Sequence, residues 1–393
     1  MRCFTGLMAV GIVVAACNPT EAQTPPPPMI SQQPSAPIAA AEARATAAEF
    51  ARRLEAEYVK PDIARSYATA IRSASEQGKY DNVGTGAALA AMLTRDVQAV
   101  APDGHLRVTE VGAGGPPPPR MVRRMIGGGE AVVTPQEPGP GRAIEVARWL
   151  APGVAYIRLS EFGIEPEVAA GIEKLMKDFA GASTLIFDVR QTPGGASTTV
   201  NAAFPFLFGR ETALMRYDTR ASVAARREGE MPGYRRIVSS TPELLTEEDF
   251  VKPHPTAKDL FDAQVFVLTS SNTASAAEHF ALALQASGRA KLVGERTAGA
   301  GNFAYAGMQA INNRFNTFIP VGRTYDPHGG KGWELVGVEP DVTVTAENAL
   351  VKALELSGVS AADAQRLSAE VPLPSFRGPP NGARLRQGPP PAG

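Results

Sequence analysis

Between Gly153 and Glu295 the chain alternates continuous apolar runs with helix-like stretches, and this alternation restricts the fold more than any other feature. The runs "VAYIRL", "TLIFDVR", "VFVLTS" and "KLVGE" are apolar almost throughout rather than at every second residue, as expected of strands that are covered rather than exposed. Between the first two, "EPEVAAGIEKLMKDFAG" places Val168, Ile172, Leu175, Met176 and Phe179 on one helical face and stops at Gly181. A second helix, "SAAEHFALALQASG", separates the last two. Strands and helices in this order predict an α/β layer whose sheet is covered on at least one face.

The rest of the 393 residues divides around that layer. Residues 1–17, "MRCFTGLMAVGIVVAAC", put Arg2 ahead of an apolar stretch shorter than the ~20 residues that span a bilayer, which reads as an export signal. Its end, "VVAAC", resembles the lipobox of bacterial lipoproteins, and that resemblance implies lipidation at Cys17 and a periplasm-facing anchor in the cell envelope. Asn18 in place of aspartate favours the outer membrane over the inner. A plain secretory signal cut near Gln23 is the alternative, giving a secreted protein. Residues 18–40 form a Pro- and Ala-rich linker. Residues 41–105 predict a small helical domain, with Phe50, Leu54 and Tyr58 and then Leu89, Leu93 and Val97 at helical spacing. A Gly/Pro-rich connection with the first strands occupies 106–150, the core 151–358, and a largely disordered tail 359–393.

Charge and rare residues narrow the chemistry. A formal net charge of −1 without a basic stripe argues against nucleic-acid binding. Both cysteines, Cys3 and Cys17, lie in the leader, so the mature chain has no thiol for a disulfide, a nucleophile or a metal. The four histidines, His105, His254, His279 and His328, show no paired ligand spacing, so no metal and no cofactor is expected. Serine chemistry remains open.

Ser275 sits between the run ending at Leu268 and the helix that follows, among small residues. A hydroxyl at a helix N-terminus lies beside unpaired amides and the positive end of the helix dipole, which suit a nucleophile in acyl transfer. A plain helix cap is the commoner reason for a serine at such a position, so the local sequence alone does not single out a nucleophile. Together, "LIFDVRQTPGG", "VFVLTSSNTASAAEHFALALQASGRAKLVGERTAGAGN" and "GWELVGVEPDVTV" resemble the tail-specific, or C-terminal-processing, family of serine peptidases over about Val154 to Ala349. The resemblance implies a crotonase- or Clp-like α/β core preceded by a helical domain. It implies Ser275 as nucleophile, and an oxyanion hole from the amide of Ala276 and from Gly194 or Gly195. The lysine of the family's best-known branch is absent, because Ala300 of "AGAG" stands in its place.

The branch resembling the tricorn core peptidases and the interphotoreceptor retinoid-binding protein instead draws a histidine from a "DGH" segment, present here as "PDGHLRV". This implies His105 as general base, titrating near its reference value of about 6.5 unless burial or Glu334 moves it. Glu334 of "GWELVGVEPD" is implied as the acidic member of the network. Because Gly104 replaces the serine that precedes the histidine in relatives, a direct contact between Glu334 and His105 is left open. His279 is expected on the helix surface, and Asp188 and Arg190 are expected to fix a strand end. The stretch from Leu106 to Val154, broken by proline and glycine runs, is too short for the PDZ domain that many members carry. The activity so implied is peptide-bond hydrolysis on peptides or unfolded protein tails; the alternative is a non-catalytic binding module on the same fold.

Overall fold

The computed structural model describes residues 35–111, 121–126, 130–135, 143–227, 234–305 and 308–373, with 121–126 and 130–135 as backbone only. Residues 1–34, with Cys17 and the expected leader and most of the Pro/Ala-rich linker, and residues 374–393 at the end of the tail lie outside the described residues.

Three helices open the chain: α1 (Ala40–Glu57), α2 (Pro61–Glu76) and α3 (Gly86–Val100). Strand β1 (Arg107–Glu110) and the hairpin β2 (Met121–Ile126) and β3 (Glu130–Pro135) follow. Next come β4 (Ile144–Ala151), β5 (Val154–Leu159), α4 (Pro166–Asp178), β6 (Thr184–Asp188), α5 (Ser197–Asn201), β7 (Thr212–Arg220) and α6 (Ala221–Ala224). Strands β8 (Tyr234–Ser240), β9 (Leu244–Val251) and β10 (Gln264–Thr269) lead into α7 (Ala276–Ala286) and β11 (Lys291–Gly294). The remainder comprises β12 (Asn302–Phe303), β13 (Gln309–Ala310), β14 (Phe315–Phe318), β15 (Gly322–Tyr325), β16 (Val342–Thr343), α8 (Ala349–Leu356) and α9 (Ala361–Ala369).

The apolar runs form the six-stranded sheet β16-β11-β10-β6-β5-β4, parallel except where β4 turns back on β5. Alternate residues of each strand face opposite layers. Ala155, Ile157, Leu185, Phe187, Val265, Val267 and Leu292 pack under α4 and α7. Tyr156, Ile186, Phe266, Leu268 and Val293 pack under α8 and α9. Coverage on both faces explains why the strands read as unbroken apolar runs. A second sheet, β12-β15-β7-β9-β8, is antiparallel.

Two boundaries differ from the sequence reading. The 359–393 tail is not disordered from its start: Ser360 caps α9 by accepting from Asp363 N, and Ala364, Leu367 and Val371 are buried with α8 in the core. That three-residue apolar set is short enough to be overlooked beside the Pro-rich end. The helical domain is also no separate body. Phe50, Leu54, Tyr67 and Leu93 share one buried cluster with Leu106 and Val108 and with Ile311, Phe315 and Ile319 from late in the chain.

Candidate active site

The loops of Gly194, Ser275 and Ala300 leave the carboxyl ends of the parallel strands β6, β10 and β11, where α/β sheets leave a crevice, while His105 lies between α3 and β1 and Glu334 between β15 and β16. The strand ends are themselves braced. Asp188 accepts from Arg190 Nε and Nη2 at 2.9 and 2.7 Å, from Arg158 Nε at 3.1 Å and from Tyr156 Oη at 2.5 Å. Burial alone would raise its pKa, but Arg190 and Arg158 outweigh burial and hold the carboxyl below its ordinary range. Asp188 and Arg190 therefore anchor structure, as the sequence reading expected.

Beyond β6, the chain turns through Gly194, which is buried at φ +119°. A Cβ there would stand 2.8 Å from Ser275 Cβ and 3.1 Å from Ala276 N, so only glycine lets this backbone lie against the serine and the following amide. Gly195, at φ +140°, instead faces Phe162, whose carbonyl oxygen a Cβ would strike at 1.8 Å. Of the two glycines, Gly194 is the one that meets Ser275.

Beyond β10, Ser275 caps α7 at φ 54°, ψ −118°. Among the described residues only Ser275 and Leu335 are non-glycine with positive φ, and Leu335 directly follows Glu334. Such backbone strain persists only where surrounding bonds impose it. At Ser275 they come from Glu278, which the sequence reading did not single out. Its buried carboxylate accepts from Ser275 N at 2.8 Å, Thr297 Oγ1 at 2.5 Å, Gly299 N at 2.6 Å and Ala300 N at 2.8 Å. Burial raises its pKa against these four donors. A serine followed three residues later by glutamate is a capping-box signature, so the signal was present.

His279 corrects an expectation. It is 6% exposed rather than on the helix surface, its ring 5.9 Å from that of Tyr217 on β7, and burial with Arg235 nearby lowers its pKa to about 3. The helix is covered on this side by the second sheet, which local periodicity does not disclose. His328 is exposed in the turn that Asp326 closes.

The loop beyond β11 carries Ala300 and is held by the turn containing Glu334. Trp333 Nε1 donates to Ala300 O at 3.0 Å, while Glu334 accepts from Gly301 N at 2.6 Å and Asn302 N at 2.8 Å. The other Glu334 oxygen accepts from Gly104 N at 2.7 Å. Glu334 thus holds the loop of His105 by its backbone. Burial and then Asp103 push the Glu334 pKa up to about 7 against these three donors.

His105 is partly buried, its ring stacked 5.1 Å from Phe318, and its Nδ1 has no hydrogen-bond partner. Burial lowers its pKa, opposed by Asp103 and aided by Arg107. A Cβ on Gly104 would meet Glu334 Oε1 at 3.3 Å, Gly299 O at 3.4 Å and Ala300 Cα at 3.7 Å. The His105 loop therefore lies against the Ala300 loop, which shares Glu278 with Ser275. Ser275, Ala276 and Gly194 form one cluster and His105 and Glu334 a second, with Glu278 and the 299–301 loop between them.

The sequence model of peptidase family S41 matches residues 153–344, and that of the N-terminal domain of peptidase S41 in eukaryotic IRBP matches residues 40–125. A carboxyl-terminal-processing protease of Picosynechococcus sp. is 32% identical over 151 residues, 38% of this chain and 29% of that protein, so the chain matches under a third of the relative's length. The photosystem II D1 C-terminal processing protease superposes with a TM-score of 0.50 at 16% identity, covering 83% of this chain and 97% of that one. A peptidase structure from Parabacteroides merdae also gives 0.50, at 14% identity, covering 83% and 96%. These likenesses carry the fold, and the two sequence models together cover both the helical domain and the core. The chain belongs to peptidase family S41.

Proposed function

We propose that the protein is a serine peptidase that cleaves peptides or protein C-terminal tails through an acyl-enzyme on Ser275. The observation that carries this reading is the strained Ser275 at the N-terminus of α7 with Gly194 packed against it. That juxtaposition brings the Ala276 amide and a side-chain-free backbone close to Ser275, which supports an oxyanion hole at this position. His105 takes the hydroxyl proton and returns it to the leaving amine. Its neutral form is favoured by burial, so it is competent as a base at neutral pH. Glu334 holds the His105 loop through Gly104 N. With alanine at position 300, no lysine from this loop can serve as base.

The protein is further proposed to be exported and anchored at the periplasmic side of the envelope, in the outer membrane, through lipid on Cys17. Support comes from the leader sequence alone. Each buried acyl methylene contributes roughly 0.8 kcal/mol, so Cys17→Ser should release the protein from the membrane fraction. Equal membrane recovery of both would count against the anchor. Cleavage of an unbiased peptide library by wild type and by Ser275→Ala tests the activity: Ser275-dependent cleavage supports it, and its absence favours a binding module.

A further inference from the structure

The imidazole of His105 has no side-chain partner at Nδ1, yet its loop is tied down by polar groups from all three N-terminal helices. Tyr67 on α2 donates to Ala101 O at 2.8 Å. Gln98 on α3 donates to Asp103 O at 2.7 Å and Leu106 O at 2.9 Å, and accepts from Asp103 N at 2.9 Å. Tyr58, the residue that ends α1, donates to Asp103 Oδ2 at 3.0 Å.

Asp103 gathers these links. It is 2% exposed, and its Oδ1 accepts from His105 N at 2.8 Å and Leu106 N at 2.9 Å. Its Oδ2 accepts from Asn302 Nδ2 at 2.7 Å as well as from Tyr58. An aspartate that merely shapes its own turn needs only the first two bonds. The other two join α1 to β12, the strand whose first residue also donates to Glu334. We infer that Asp103 is a positioning residue that couples the helical domain, through Tyr58, to the orientation of His105 and Asn302. This rests on the proposed role of His105 as general base. The helical domain is then a working part of the site, and any motion of α1 changes the presentation of the base.

The electrostatics supply a readout that a purely structural role would leave unmoved. Asp103 raises the pKa of both Glu334 and His105. The other charged or titratable groups facing Glu334 are Lys60, Arg323 and Tyr325 across an adjoining cavity of about 180 Å³, and Tyr67 on α2. Arg107 is the other charge acting on His105. Removing the Asp103 charge while leaving these in place should shift both titrations down.

The test uses full-length Asp103→Asn and Tyr58→Phe, with melting temperature and near-ultraviolet circular dichroism to establish that each is folded. In the peptide assay Asp103→Asn is expected to lower kcat at least about tenfold, and Tyr58→Phe about fivefold, with KM within about twofold, as loss of charge-assisted hydrogen bonds would give. The acid limb of Asp103→Asn should move to lower pH. The His105 Hε1 resonance, assigned by its loss in His105→Ala, should titrate at lower pH in Asp103→Asn and at an altered pH in Tyr58→Phe. Unchanged kcat, acid limb and His105 titration in both folded variants would overturn the inference. If the wild type shows no Ser275-dependent cleavage, the peptidase reading fails instead, and the His105 titration alone decides: shifts in the variants support the coupling, and none refutes it.

Discussion

Glu334 and His105 depart from their ordinary pKa values in opposite directions, and in the proposed mechanism this sets the acid limb of the activity. His105 must be neutral to accept a proton, and Glu334 must be ionised to accept three N–H bonds, so both conditions fail as pH falls. Burial lowers His105, whereas burial and Asp103 push Glu334 up to about 7. Glu334 protonates first. The acid limb of kcat/KM is therefore expected near pH 7 rather than at the ordinary histidine value, and Glu334→Gln should move it below about 6.5 at reduced rate. An acid limb that stays in place in Glu334→Gln would assign it to His105. Glu278 carries a separate expectation. Its removal in Glu278→Ala leaves the Ser275, Gly299 and Ala300 amides without their acceptor, at about 1–3 kcal/mol for each buried unsatisfied group. A melting temperature within a degree of wild type would contradict that account.

At the scale of elements, α7 has two tasks: its first turn presents Ser275 and its body fills the space between the two sheets. His279→Ala therefore opens a cavity against Tyr217 and is expected to destabilise by about 1–3 kcal/mol, read in denaturant midpoints. A midpoint unchanged by the substitution would mean the ring is not packed. Leu367→Ala on α9 should cost about 2–5 kcal/mol by the same logic, since Leu367 is buried in the cluster beneath the sheet. The sheet, α4 and α7 were legible in the sequence because burial on both faces leaves uninterrupted apolar runs. Ser275, Ala276, Gly194, His105 and Glu334 were singled out as candidates through short segments of recognisable order. What escaped was set by distant partners. Whether Gly194 or Gly195 meets Ser275 depends on Phe162, the burial of His279 on β7, and the role of Asp103 on Tyr58 and Asn302. Such pairings span up to 199 residues and leave no local periodicity to read.

For the whole molecule, one buried cluster joins the three N-terminal helices to Phe315 and Ile319, and the 101–106 loop is bonded to both parts. The chain should unfold in a single thermal transition, and a separate early transition of the helical domain would contradict this shared core. Reductant should leave that transition in place, since the only cysteines are Cys3 and Cys17. The central claim is that Ser275 is activated by His105 within this joined structure. It is tested most directly by mass spectrometry after reaction with a fluorophosphonate, which forms an adduct only on an activated serine. The account predicts one adduct, on the peptide carrying Ser275, absent in Ser275→Ala and formed at least about a hundredfold more slowly in a folded His105→Ala. Wild-type labelling rates in His105→Ala, or no adduct on Ser275 at all, would contradict it.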